Sequence, residues 1–218
     1  MSTLARSLPR PSHDTLLYAG ILFNVELAAL LAYGLLTPGT LTPARYTIYG
    51  LLWINAGVLA VTKTSVAPAP TRTKRRAAVV AVAYFAALVV AGGLVTLAAP
   101  HGGAGFRIGW LPPGWGPALI YGGETLNVVL MPGRVVGYVA LAYLVYATVV
   151  DAAGAAVSGI LGLLSCVSCS WPILASLATA VLGSGSALAA SATALSYDLS
   201  TVVFLATVAL LYWRPFGR

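Results

Sequence analysis

The chain has 218 residues, of which 59% are hydrophobic and 8% are charged, and its mean hydropathy is +0.91. Because soluble domains carry about 25% charged residues, this composition excludes an ordinary soluble domain and predicts an integral membrane protein. The net charge of +7 comes from lysines and arginines in short segments between apolar runs. That pattern argues against a nucleic acid partner and predicts contact with a lipid bilayer.

Six apolar runs come close to the roughly 20 residues that a membrane-spanning helix needs. They are Thr15–Leu36, Arg45–Thr62, Ala77–Ala99, Arg134–Val150, Ala155–Leu182 and Ala187–Trp213. The first run is too long for a signal-peptide core of about 7 to 15 residues, so we expect it to be retained. The sequence therefore predicts an all-α fold, a polytopic transmembrane helical bundle of about six spans that forms a single transmembrane domain over residues 1–218.

The run "KTSVAPAPTRTKRR", residues 63–76, predicts a basic cytoplasmic linker that lies at the membrane surface. With a cytoplasmic N-terminus, nine basic residues fall on the inner side and three on the outer side, which places both termini in the cytoplasm. The inner residues are Arg6, Arg10, Lys63, Arg72, Lys74, Arg75, Arg76, Arg214 and Arg218, and the outer ones are Arg45, Arg107 and Arg134.

Residues 100–133 are rich in glycine and proline and predict an external loop. Within them, Ala118–Met131 is apolar but too short to span a bilayer comfortably, so we expect an interfacial or re-entrant helix on the outer face. If this segment crosses the membrane instead, the count rises to seven or eight spans and the topology after it inverts.

Polar side chains lie near the middle of three predicted spans. They are Asn24 and Glu26 in the first, Asn55 in the second and Asp198 in the sixth. An ionisable group in hydrocarbon costs at least ~2.5 kcal/mol on insertion scales, so each needs a local reason. Two interpretations stay open: polar contacts that hold helices together, and a pathway for protons or metal ions.

Both cysteines of the chain lie in "LLSCVSCSWPIL", Leu163 to Leu174. On a helix, Cys166 and Cys169 share one face with Cβ atoms ~5 to 6 Å apart, which suits two thiolates on one metal ion. Pro172 removes a backbone hydrogen bond and breaks the helix beside them. Three interpretations stay open: a site for Cu(I) or another soft metal, a thiol–disulfide pair, and simple packing.

The element "SCVSCSWPILASL" resembles the cysteine–proline element of small mercuric-ion transport membrane proteins and the half-sites of cytochrome c biogenesis-type thiol carriers. These resemblances imply soft-metal transport or electron transfer through Cys166 and Cys169. The segments "TLLYAGILFNVELAALLAYGLL" and "LSYDLSTVVFLATVALLYWRP" are similar to an uncharacterised family of haloarchaeal multi-pass membrane proteins, which implies no known activity.

Three functions follow from these patterns. The first is a soft-metal, copper-like transporter or metal-handling carrier, with Glu26 and Asp198 carrying protons or adding oxygen ligands. The second is a membrane thiol–disulfide electron carrier. The third is a non-catalytic accessory subunit that packs against a membrane-protein partner. No residue is assigned a catalytic role, and we do not expect an enzyme.

Overall fold

The computed structural model describes residues 13–37, 44–97, 105–152 and 187–213. The chain divides into two compact units, Met1–Leu41 and Thr42–Arg218. The first unit contributes helix α1, His13–Leu36. The described parts of the second unit contain helices α2 to α5 and strands β1 to β4. The helices are α2 Ala44–Lys63, α3 Thr71–Ala91, α4 Pro132–Ala152 and α5 Ala187–Trp213, and the strands are β1 Val95–Leu97, β2 Gly105–Gly109, β3 Ala118–Gly122 and β4 Leu126–Leu130.

Helix α4 lies at the centre of the second unit, packed between α2, α3 and α5. Helices α2 and α4 run in the same direction, since Gly50 lies close to Gly133 and the Tyr143 hydroxyl donates to the Thr64 carbonyl oxygen, 3.2 Å away. Helix α3 runs the opposite way and ends at Gly92, whose carbonyl oxygen accepts a 2.7 Å hydrogen bond from Arg134. The guanidinium thus satisfies a carbonyl that the helix end leaves unpaired.

The strands form one antiparallel sheet in the order β1-β4-β3-β2. Strands β3 and β4 make a hairpin in which Tyr121 pairs with Val128. Strand β2 pairs with β3 along its length, and Phe106 lies opposite Tyr121. The backbone N–H of Val129 donates to Leu94 at 2.8 Å and ties the sheet to the residues that follow α3. The sheet therefore lies at the end of the helices where α2 and α4 begin and α3 stops.

The sheet corrects the prediction of a helix over Ala118–Met131. This segment carries β-branched and aromatic residues such as Ile120, Tyr121 and Val128, which favour strands. It is interrupted by Gly122 and Gly123, where the hairpin turns and the Gly123 N–H donates to the Leu126 carbonyl. The helix was predicted from segment length and hydropathy alone, and neither takes these strand-forming residues into account. The predicted span Ala77–Ala99 is also corrected, because Val95–Leu97 forms strand β1 of this sheet.

The prediction of an all-α bundle with about six spans is wrong. Five helices cover five of the six predicted apolar runs, but a sheet accompanies them, and the run Ala155–Leu182 lies outside the described residues. Among the residues described, one helical segment, Pro132–Asp151, is long and apolar enough to cross a membrane, a property that core helices of soluble proteins share. Gly20–Leu36 and Ser200–Tyr212 are shorter apolar stretches. Counting apolar residues overestimated the spans because basic residues occupy the ends of α2 and α3.

Candidate functional site

The candidate site is a carboxyl group held between α2 and α5. The side chain of Asp198 on α5 is hydrogen-bonded to the hydroxyl of Tyr49 on α2. Its Oδ1 atom is buried and has no hydrogen-bond partner among the described residues. Burying a carboxyl oxygen without a partner is costly, so a hydrogen-bond donor at this atom would be stabilising.

Trp53 lies next to the site, one helical turn after Tyr49 on α2. Its indole stacks on Phe204 with ring centroids 4.0 Å apart and an interplanar angle of 7°. Its Nε1–H donates to the Thr201 hydroxyl at 3.2 Å. Tyr138 and Trp115 lie against the same indole, with centroids 5.9 and 5.8 Å away. The buried aromatic cluster joins α2, α4 and α5 through Trp53, Tyr138 and Phe204.

A loop between β2 and β3 closes over the start of α2. The indole N–H of Trp115 donates to the Tyr46 carbonyl oxygen at 2.7 Å. The loop backbone passes so close to Gly50 that a Cβ there would lie 2.7 Å from the Pro113 carbonyl oxygen. At Gly114, where φ is +87°, the chain adopts a conformation that favours glycine. The loop, the helix and the site thus form one packed unit.

Arg45 adds a positive charge near Tyr49. It lies one helical turn before Tyr49 and acts on it electrostatically, while its guanidinium stacks over the Tyr46 ring, 4.8 Å from the centroid. Asp198 is therefore close to the end of the second unit that carries the sheet. Asn55 lies six residues beyond Tyr49 on α2, ~9 Å further along the axis.

The other predicted polar residues have separate surroundings. The Asn24 amide donates to the Gly20 carbonyl oxygen within α1, 2.8 Å away, and Glu26 lies on the same helix in the first unit. Asn55 is half-buried in the second unit. The hydrogen-bond partner described for Asp198 is Tyr49.

The cysteine element cannot be placed in this framework. Cys166, Cys169 and Pro172 all lie outside the described residues. In the part of the chain that the structure does describe, no group of three or more histidine, cysteine, aspartate or glutamate side chains could hold a metal ion. The soft-metal and thiol–disulfide interpretations therefore stay predictions.

Sequence reasoning missed Tyr49, Trp53 and Thr201. A signal existed for each, since Tyr49 and Trp53 lie four residues apart on one face of α2, and Asp198 and Thr201 lie three apart on α5. Two polar groups on one helix and two hydrogen-bonding aromatics on another are suited to face each other. Which helices face each other is a property of the packing, and no periodicity in the sequence contains it.

The fold and the site define an α+β protein whose helices enclose a carboxyl–tyrosine pair beside an aromatic cluster. The chain belongs to a family of unknown function, DUF7546, whose match extends over residues 1–218. No curated protein and no solved structure matches the chain.

Proposed function

We propose that the protein is an integral membrane protein in which Asp198 is the proton-accepting group of a carrier. The observation that supports membrane insertion is the distribution of charge along the helices. Residues 46–62 of α2, 77–91 of α3 and 135–150 of α4 contain no lysine, arginine, aspartate or glutamate. These 15 to 17 residues correspond to ~22 to 26 Å of helix, shorter than the ~30 Å of a bilayer's hydrocarbon core. Among the described residues, the one segment long and apolar enough to cross that core is in α4.

We call residues 46–62, 77–91 and 135–150 the uncharged belt. The outward surface of this belt is apolar. Large exposed side chains project from its helices: Ile48, Leu52, Val58 and Leu59 on α2, Val79, Val80, Val82 and Val90 on α3, and Val139 on α4. An exposed apolar surface of this extent favours association with lipid or with another protein. Helix α1, considered by itself, is similar, with Phe23, Val25 and Leu31 each at least 60% exposed.

The two ends of the belt differ in character. Arg45, Arg107 and Arg134 lie at the sheet end, together with the exposed aromatic residues Trp110 and Tyr121. Tryptophan and tyrosine are enriched at membrane interfaces. The opposite end carries five basic residues, Lys63, Arg72, Lys74, Arg75 and Arg76. By the positive-inside rule we assign the five-cation end to the cytoplasm and the sheet to the outer surface.

Membrane insertion is tested by fractionating cells that express the full chain. We expect the protein to stay in the membrane pellet after an alkaline carbonate wash and to leave it only in detergent. The reason is that the apolar belt contacts lipid through apolar side chains, and the wash disrupts ionic contacts only. Recovery of folded protein in the carbonate supernatant would overturn the proposal.

The proton-accepting role of Asp198 is supported by its surroundings. The carboxyl is hydrogen-bonded to Tyr49, and its buried Oδ1 atom has no hydrogen-bond partner among the described residues. A carboxyl at the border of an uncharged belt can take up a proton from one surface and hold it in the apolar interior, which is how intramembrane carboxyls serve carriers. Tyr49 positions the group.

The carrier role is tested in liposomes that contain the purified protein and a pH-sensitive dye. With an imposed pH gradient, and with reduced copper ions present or absent outside, we expect faster proton movement than in empty liposomes. Asp198→Asn should abolish the increase, whereas Glu124→Gln, on an exposed turn of the sheet, should retain it. Wild-type protein that moves no protons in either condition would exclude the role.

The accessory-subunit hypothesis predicts a different result. It requires a stable membrane partner and no proton movement by the isolated chain. The exposed apolar residues of α2 and α3 are compatible with such a partner. The buried Asp198 Oδ1 atom, which has no hydrogen-bond partner among the described residues, favours a binding role.

A further inference from the structure

The outer face of α3 changes character along its length. Residues at helical spacing on this face begin with three arginines and continue with small or apolar side chains. They are Arg72, Arg75, Arg76, Val79, Ala83, Ala86 and Val90, and all are exposed. The opposite face, with Ala77, Ala81 and Leu88, is buried in the protein. One continuous stripe therefore has a cationic start and an apolar remainder.

The cations at the start of α3 have no acidic residue beside them in the first turn of the helix. The N-terminal end of a helix carries a partial positive charge that disfavours cations. The structure records no ion pair and no side-chain hydrogen bond from these arginines to any residue it describes. An external anion would stabilise such a concentration of like charge.

The start of α3 is held in place by the linker that precedes it. The Ala67 backbone N–H donates to Asp151 at 3.2 Å, and the Tyr143 hydroxyl donates to the Thr64 carbonyl. Both contacts attach residues 64–70 to the end of α4. The arginines are therefore presented at a defined level, directly beside the uncharged belt.

We propose that this stripe binds one anionic phospholipid, with Arg72, Arg75 and Arg76 on the phosphate group and the face from Val79 to Val90 against an acyl chain. The inference rests on the proposal that the belt lies in a membrane. From Arg76 to Val90 the helix rises ~21 Å, more than the ~15 Å of one hydrocarbon leaflet. Three guanidinium groups within two turns suit the oxygens of a phosphate. A free phosphate ion would use only the cationic part.

The test uses the full chain purified in a mild neutral detergent. Native mass spectrometry counts bound phosphatidylglycerol and phosphatidylcholine with identical acyl chains, and inorganic phosphate is added as a competitor. We expect selective binding of one phosphatidylglycerol, which millimolar phosphate does not displace. Arg75→Gln should weaken it about fivefold, corresponding to about 1 kcal/mol for one cation near anionic lipid. Arg72→Gln should act in the same way.

The matched control is Arg107→Gln, which removes one exposed cation from strand β2 at the sheet end and should leave lipid binding unchanged. Val79→Gln should weaken the binding of both lipids. Equal binding of the two lipids by wild type, displacement by inorganic phosphate, or an equal loss in Arg107→Gln would each overturn the lipid site. Carbonate fractionation of the same variants distinguishes failure of the lipid site from failure of the membrane proposal. We expect every variant to stay in the membrane pellet, because none of these substitutions should change insertion.

Discussion

Trp53 joins three helices and a loop through a single side chain. Its ring stacks on Phe204 of α5, lies against Tyr138 of α4 and Trp115 of the β2–β3 loop, and is only 3% exposed. Its one polar atom is satisfied by Thr201. Asp198 lies one turn before Thr201 on α5, so the position of the carboxyl depends on how this indole packs. Stability and site geometry are thus coupled at one residue.

Trp53→Ala should destabilise the protein by about 3 kcal/mol or more, because a large buried ring is removed and its neighbours fill the space incompletely. The expected result is a clear drop in Tm in detergent. Thr201→Val, which leaves the indole N–H buried without its acceptor, should cost about 1 to 3 kcal/mol. The control is Trp110→Ala, since Trp110 is 56% exposed. A similar Tm loss in the control would contradict the central role of Trp53.

Gly50 offers a second test of close packing. Gly50→Ala would place a Cβ 2.7 Å from the Pro113 carbonyl oxygen and 2.9 Å from the Gly114 Cα, so loop backbone must move. We expect a loss of about 1 to 3 kcal/mol, measured as a lower Tm. Gly20→Ala is the matched helical control, since nothing lies within 4 Å of the added atom. That change should be neutral or stabilise α1 by about 0.5 to 1 kcal/mol.

Among the elements, the linker between α2 and α3 determines how the basic cluster is presented. Its residues 64–70 are in no helix or strand, yet contacts to α4 fix them at Thr64 and Ala67. A proline-containing segment of this kind has few backbone donors, and the Ala67 N–H is given an acceptor by Asp151. After this short connection, α3 runs antiparallel to α4 and packs against it.

Asp151→Ala should loosen this linker without unfolding the helices. Removing the acceptor should lower the cost of local opening by about 1 kcal/mol, since the bond is solvent-exposed, and speed hydrogen exchange at the Ala67 amide about fivefold. Asp151→Asn keeps an acceptor oxygen and should change exchange less. Exchange is read by mass spectrometry on peptides covering residues 64–70, with Glu124→Ala as the control variant. Unchanged exchange in Asp151→Ala would show that the linker is held by other contacts.

For the molecule as a whole, the arrangement of charge is the most informative feature. Basic residues lie at both ends of the described part of the second unit, and residues 46–62 of α2, 77–91 of α3 and 135–150 of α4 between them contain no charged residue. Such a distribution suits a molecule that borders water at two levels and hydrocarbon between them. The proposed carrier also needs a cargo site, for which the cysteine element is the sequence-based candidate.

Copper binding tests that candidate. Reduced wild-type protein loaded with Cu(I) should retain the metal in detergent, while Cys166→Ser and Cys169→Ser should each lose it, because a single thiolate lacks the second soft ligand. Ser170→Ala is the neighbouring control. Metal content is measured on the purified proteins. Wild type that holds no copper would contradict the soft-metal hypothesis, and mixed disulfides in the single mutants would favour thiol–disulfide exchange.

The positions of the helices could be read from the sequence because burial in any apolar medium requires long apolar runs. The runs Thr15–Leu36 and Ala187–Trp213 correspond closely to α1 and α5. Hydropathy cannot distinguish a helix from paired strands in a short apolar stretch, so Ala118–Met131 was assigned to the wrong element. The predicted run Ala77–Ala99 was also too long, since α3 ends at Ala91 and Val95–Leu97 forms β1.

The site depended on contacts between residues far apart in the chain. Asp198 was recognised from sequence as a costly group in an apolar run, because local composition is enough to show that cost. Its partner Tyr49 was not recognised from sequence, because the two residues are separated by most of the chain. They meet only when α2 and α5 run side by side. The same is true of Trp53 with Thr201. Helix packing selects which faces meet, and that selection follows from the fit of many side chains together, such as Gly57 against Val136 and Ala140.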